Sequence, residues 1–150
     1  MAYVSDKNAI PIMTSNIAPS GVASASNSVS EAYCAFDGNN STNWGNSNGV
    51  YNEWLRYKFD TPKQIVRYSL TNHSSITTSP KNWRFEASND GLTWIVLDEQ
   101  AATWSSQTTK TYSFINNNYY TFYRIYVISS QNTGVSRIWI NELRMYELIL

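Results

Sequence analysis

From Trp54 onward the chain alternates. Leu55, Tyr57 and Phe59 fall on one side of a two-residue repeat and Arg56 and Lys58 on the other, as in a strand with one buried face. Similar runs follow at 64–71 (Val66, Tyr68, Leu70), 82–88 (Trp83, Phe85, Ala87), 93–98, 110–115, 121–129 (Tyr123, Ile125, Val127) and 137–146 (Ile138, Ile140). Short strands at regular spacing, separated by polar turns, predict an all-β fold: an antiparallel β-sandwich jelly roll of about eight main strands. Asn89-Asp90-Gly91 supplies residues that tolerate positive φ, so 82–88 and 93–98 are expected to pair as a hairpin. Near the end, Leu143 and Met145 fall out of phase with Ile138 and Ile140, which predicts a bulge around Asn141-Glu142.

Before Trp54 the pattern is weaker. Residues 1–28 are rich in Ser, Ala, Asn and Pro, with short apolar pieces at 10–13 and 22–23. They read as an N-terminal arm over 1–19 and the first strand of a domain covering 20–150. Residues 30–36 predict one or two helical turns with Ser30 as N-cap and Gly38 as the stop.

The 150 residues fit one domain, which by the usual scaling buries roughly 70% of the surface of its unfolded chain. Hydrophobic residues make up 42% and charged ones 15%, so Ser, Thr, Asn, Gln and Tyr must cover the surface. Such a skin suits neutral, hydroxyl-rich partners. Eleven basic and eleven acidic residues cancel and are scattered singly, which gives no footprint for nucleic acid or anionic lipid. No run approaches the ~20 apolar residues of a membrane span, and no charged start leads into an apolar stretch. The expected setting is extracellular, or a virion or cell surface, as part of a larger protein or assembly. Cys34 is the single cysteine and has no basic neighbours, so it is expected to pack inertly. The closing Leu148-Ile149-Leu150 predicts an apolar end that a partner chain or a continuation of the chain covers.

Catalysis has few routes here. One histidine, one cysteine and no Gly-x-Ser-x-Gly elbow leave little for nucleophilic chemistry. A glycosidase needs two carboxylates about 5 to 10 Å apart in one cleft, and Glu53 and Glu142 are poorly matched for that. No enzyme is expected.

The segment 35–44 concentrates oxygen ligands of the kind calcium takes: Asp37, Asn39, Asn40, Ser41 and Thr42. It is not an EF-hand loop, because counting from Asp37 the sixth position is Thr42 rather than Gly and the twelfth is Asn48 rather than Glu. Read alone, it is a polar turn. Taken with Ser88-Asn89-Asp90-Gly91-Leu92-Thr93-Trp94 and with Glu142, however, it resembles the discoidin (coagulation-factor type C) family, a galactose-binding-domain-like jelly roll. The bacterial and viral members of that family are largely galactose-type carbohydrate-binding modules. The resemblance implies a structural calcium held by the side chains of Asp37 and Thr42, the Asn40 carbonyl and the Glu142 carboxylate. Trp44 is then expected to pack beneath the metal loop.

The same resemblance implies a sugar site in loops at one end of the sandwich, presenting a His, an Arg, an Asn and one or two aromatics. A sugar ring needs an exposed aromatic plate beside fixed donors and acceptors. His73 and Asn132 occupy matching loops, and Trp104, in a polar loop without apolar companions, is the expected plate. No arginine lies between His73 and Pro80, so Arg84 or Arg137 must substitute. Trp54, Trp83, Trp94 and Trp139, in or beside strands, are expected to serve packing.

Three functions compete. The first is a non-catalytic, lectin-like module that binds a galactose-type sugar or cell-surface polysaccharide. The second is a protein- or lipid-adhesion module with apolar loop tips, for which Ile76 and Val135 are the aliphatic candidates. The third is a structural piece of a phage tail or bacterial surface assembly.

Overall fold

The computed structural model describes residues 1–47, 52–132, 134 and 137–150. In them the alternation closes into two antiparallel sheets packed face to face. The strands are β1 (Tyr3–Val4), β2 (Val22–Ala25), β3 (Trp44–Gly45), β4 (Glu53–Lys63), β5 (Ile65–Asn72), β6 (Pro80–Ser88), β7 (Ile95–Ala101), β8 (Thr109–Ser113), β9 (Tyr120–Ser130) and β10 (Trp139–Ile149). The first sheet runs β1-β10-β5-β8, with β3 also on β10, and the second runs β2-β4-β9-β6-β7.

Between them lies an aromatic-rich core. Leu55, Tyr57 and Phe59 face inward as the alternation requires, with Tyr68, Trp83, Phe85, Tyr123 and Ile125 opposite or beside them. Burying each such side chain is worth about 1.5–3 kcal/mol. Tyr68 stacks on Phe85 at 4.2 Å and settles the polar atoms of this region: Trp83 Nε1 donates to its hydroxyl at 2.9 Å, and that hydroxyl donates to Asp98 at 2.7 Å.

The expected bulge is present. Register on β5 shifts between Ile140 and Glu142, so Ile138 and Ile140 before it and Leu143 and Met145 after it all reach the core. The extra residue has a second effect: Asn141 and Glu142 are both buried, at 3% and 1% exposure. The hairpin is present too. β6 and β7 pair across a turn in which Gly91 takes φ 74°, as a glycine readily does.

Three expectations change. Residues 1–19 are no loose lead-in: Ile10 and Met13 lie in the core, and Met13 N donates to Phe36 O. Tyr3 and Val4 pair with Ile149 and Leu148, so the chain's own N-terminal strand covers most of the apolar end assigned to a partner. Leu150 alone stays exposed there. The helical piece is a single 3-10 turn, Ala32–Ala35, which Ser30 does not cap because it bridges to Gly45 instead. Cys34 within that turn is half-buried, and burial pushes its thiol pKa up, in keeping with an inert packing role.

Candidate functional site

At the loop end of the first sheet three side chains meet. Trp139 starts β10 opposite Gly45 of β3, and a Cβ at Gly45 would sit 2.3 Å from the indole, so only glycine lets the ring lie down there. His73, just past β5, meets that ring edge-on at 4.6 Å between centroids. The Arg137 guanidinium carbon lies 5.2 Å from the ring centre.

The protons are placed by local bonds. His73 Nδ1 accepts the Ser75 N–H at 2.9 Å, which puts the imidazole proton on Nε2. Partial burial lowers the pKa of His73, so the neutral, Nε2-donating form prevails at neutral pH. Arg137 Nε is buried without a hydrogen-bond partner. A half-exposed indole thus has a neutral N–H donor beside it and a guanidinium with an unmade bond. That set can cover the C–H face of a sugar ring and meet its hydroxyl oxygens.

Of the expected sugar ligands, the structure brings His73 and Arg137 together and leaves the others elsewhere. Trp104 is not an exposed plate. It is 4% exposed, its Nε1 donates to Pro80 O at 2.7 Å, and Lys110 lies over the ring. Gln131 closes the lid, accepting from Trp104 N at 2.7 Å and donating to Trp104 O at 2.9 Å. Asn132 spends its side-chain oxygen on Gly134 N within its own loop. Arg84 lies on the outer face of the second sheet, over Tyr126 and near Glu86, away from the loops. Trp139, expected to serve packing, is the ring that pairs with His73. Its one sequence signal was its place at the start of a strand directly after a polar loop. Of the two apolar tips, Ile76 is half-buried and Val135 lies outside the described residues.

A second cluster forms where the 37–42 loop meets the bulge. Thr42 Oγ1 has three oxygens around it: Asp37 Oδ2 at 2.5 Å, Asn39 O at 3.1 Å and Cys34 O at 3.3 Å. One hydroxyl proton cannot serve three acceptors. Glu142 Oε1 accepts Gly38 N at 3.0 Å and its other oxygen meets Arg144 at 3.2 Å. Burial, then the Asp37 side chain, push the Glu142 carboxyl up to about 8, against the pull of Arg144. Asn40 departs from expectation: its carbonyl already accepts from Asn141 at 2.6 Å and Gln107 at 3.1 Å, which uses both lone pairs. Asn40 is therefore a latch between loop and strand, not a free donor to a metal. Asn141 Oδ1 is buried without a partner. No group of three or more His, Cys, Asp or Glu gathers among the described residues, so any metal here must take carbonyl and hydroxyl oxygens as well.

A larger cleft, about 680 Å³, lies elsewhere, between the N-terminal segment and Phe36, Tyr57 and Phe59. Its cations Lys63 and Arg144 are already paired with Glu147 and Glu142. Lys7, Asn8, Asp60 and Thr61 supply further polar groups. No helix among the described residues is long and apolar enough to cross a membrane.

Comparison with known proteins fits this architecture. A family model for the F5/8 type C domain matches residues 19–140. The family 32 carbohydrate-binding module of Clostridium perfringens NanJ, solved with galactose, aligns with a TM-score of 0.72 at 22% identity, over 85% of this chain and 93% of that one. Module CBM32-5 of CpGH89 from the same organism, solved with GalNAc-β-1,3-galactose, aligns at TM-score 0.73 and 18% identity, over 83% and 94% of the two chains. A peptide-N(4)-(N-acetyl-beta-glucosaminyl)asparagine amidase of Arabidopsis thaliana is 36% identical over 88 residues, 56% of this chain. The match takes in only 11% of that enzyme's length.

Proposed function

The chain belongs to the F5/8 type C domain family, and from that premise we propose that it is a non-catalytic module that binds the end of a glycan, of galactose type, through Trp139, His73 and Arg137. One observation carries the reading: a half-exposed indole flanked by a neutral imidazole donor, 4.6 Å between centroids, and by the Arg137 guanidinium 5.2 Å from the ring centre. Both solved relatives named above hold galactose-containing sugars, which favours that sugar class. A site of three side chains suits affinities in the micromolar to millimolar range, the weak end of specific binding.

The reading includes a structural calcium. Asp37, Thr42 and Glu142, with the carbonyls of Asn39 and Cys34, fit a hard cation, because they crowd oxygens together with too few protons to pair them. When bound, the ion supplies the positive charge that lets both carboxylates ionise. Its role is to tie the 37–42 loop to β10, and the chain's own residues do the recognition. The module is expected in an extracellular or surface setting.

A glycan array followed by calorimetry on the best sugar tests this, using wild type, Trp139→Ala and His73→Ala. Wild type should bind terminal galactose-type sugars, with both variants weakened about tenfold or more. An array blank for wild type, or variants that bind as wild type does, would overturn the assignment.

A further inference from the structure

The outer face of the second sheet carries a pattern that the loop end does not use. Cross-strand register stacks three rows there. Trp54, Tyr126 and Arg84 stand opposite one another in the first, Arg56, Arg124 and Glu86 in the second, and Lys58, Phe122 and Ser88 in the third. Four of the eleven basic residues, drawn from three strands, therefore share one face, on which the Arg124 side chain is the most covered at 13% exposure. Each is held over a ring. Arg56 lies 4.9 Å from Trp54 and 5.2 Å from Phe122, Lys58 lies 5.6 Å from Phe122, Arg84 lies 4.8 Å from Tyr126, and Arg124 lies 3.9 Å from Trp94. The rings hold these cations in place.

Negative charge on this face is short. Glu86 serves two arginines, Arg124 at 2.8 Å and Arg84 at 3.3 Å, and Glu99 of edge strand β7 stands opposite Arg84. Arg56 has only the Ser24 hydroxyl, at 2.8 Å, and among the described residues Lys58 has no carboxylate within ion-pair distance. Arg56 and Arg124 are direct cross-strand neighbours, an arrangement that repels and costs stability. Burial and the Arg124 charge both pull the Arg56 pKa down. Glu86 answers Arg124, which leaves Arg56 as the member of the pair without a carboxylate at ion-pair distance among the described residues.

We propose that this face binds an acidic polysaccharide, with carboxylates on successive sugars, laid across β4, β9 and β6. Strand geometry sets side chains about 5 Å apart across strands and about 7 Å apart along them, a grid on the scale of single sugar rings. Guanidinium forks take carboxylates in two-point contact, and stacking on rings leaves less freedom to lose on binding. The site is separate from the loop end and does not depend on it.

Affinity electrophoresis tests the proposal, with gels that contain polygalacturonate, its fully methyl-esterified form, or single-stranded DNA, each compared with a polymer-free gel. Wild type should be retarded by polygalacturonate alone. Lys58→Gln should weaken that retardation, and Arg56→Gln with Lys58→Gln should weaken it by about tenfold or more. His73→Ala should run as wild type does in the acidic gel while losing galactose binding, so failure of one site is read apart from failure of the other. Lys58 is exposed and unpaired, which keeps at least one variant folded, and a thermal melt verifies it. No retardation of wild type, equal retardation by DNA, or unchanged retardation of both Lys58 variants overturns the proposal.

Discussion

Two indoles near the loop end have opposite surroundings, and substitution separates them. Trp104 is 4% exposed and bonded through Nε1 to Pro80 O, so Trp104→Ala should cost about 3–5 kcal/mol of stability. Sugar affinity of the folded fraction should be little changed. Trp139→Ala should do the reverse, as paired denaturant melts and calorimetry would show. Gly45→Ala is a subtler probe: its methyl would meet Trp139 at 2.3 Å and tilt the ring, and affinity should fall about tenfold without a residue of the site being replaced. His73 adds a pH signature. Its pKa is lowered, so the neutral donor persists through neutral pH. Protonation on acidification breaks the bond that Nδ1 accepts from Ser75. Sugar affinity should hold between pH 7 and 8 and decline on acidification below the ordinary histidine value of about 6.5, and a flat calorimetric profile across the acid range would show that the bond from Ser75 does not position the ring.

At the scale of elements, the β6-β7 hairpin shows how a short motif acts. Asp90 Oδ1 accepts from Leu92 N and Thr93 N, each at 2.8 Å, and Ser88 Oγ donates to it. These bonds favour the charged form and hold Asp90 at about 2. With the folded pKa depressed, the contribution is complete above the ordinary value near 4 and is lost as pH falls toward 2. Asp90→Ala should therefore lower the urea midpoint at pH 7, and the gap to wild type should close by pH 2. A gap unchanged at pH 2 would mean that the carboxylate is not its source. The β10 bulge is the other decisive element. One added residue turns Asn141 and Glu142 inward together, giving the 37–42 loop both a latch on Asn40 O and a carboxylate bonded to Gly38 N.

For the whole molecule, that junction links residues 104 apart in sequence. If calcium occupies it, the ion binds the folded state only and adds about 2.7 kcal/mol at a hundredfold excess over its Kd. The calcium-free domain has an opposite pH trend from the Asp90 case. The Glu142 pKa is raised to about 8, so its stability is complete below the ordinary carboxylate range and is lost as pH rises through 8. In chelator, the melting temperature should fall between pH 6 and 9, and saturating calcium should abolish the fall. Glu142→Gln should melt higher than wild type in chelator at pH 9 and lower than wild type in calcium. Melting curves of both proteins that ignore calcium would count against the ion.

Alternation along the chain determined the strands from β4 onward and the β10 bulge, because one buried face imposes a two-residue period on a short stretch, and Asn89-Asp90-Gly91 marked the hairpin. It also located the oxygen-rich loop and tied it to Glu142 through a family resemblance. Tertiary structure decided which loop residues meet. Gln131, 27 positions away, covers Trp104, while Gly45 on another strand leaves room for Trp139 beside His73. The same holds for charge: Arg56, Lys58, Arg84 and Arg124 are scattered in sequence and become one surface only through antiparallel register. Burial of a face is a local property of the chain, whereas the neighbours of a loop or surface side chain are set by pairings between distant strands.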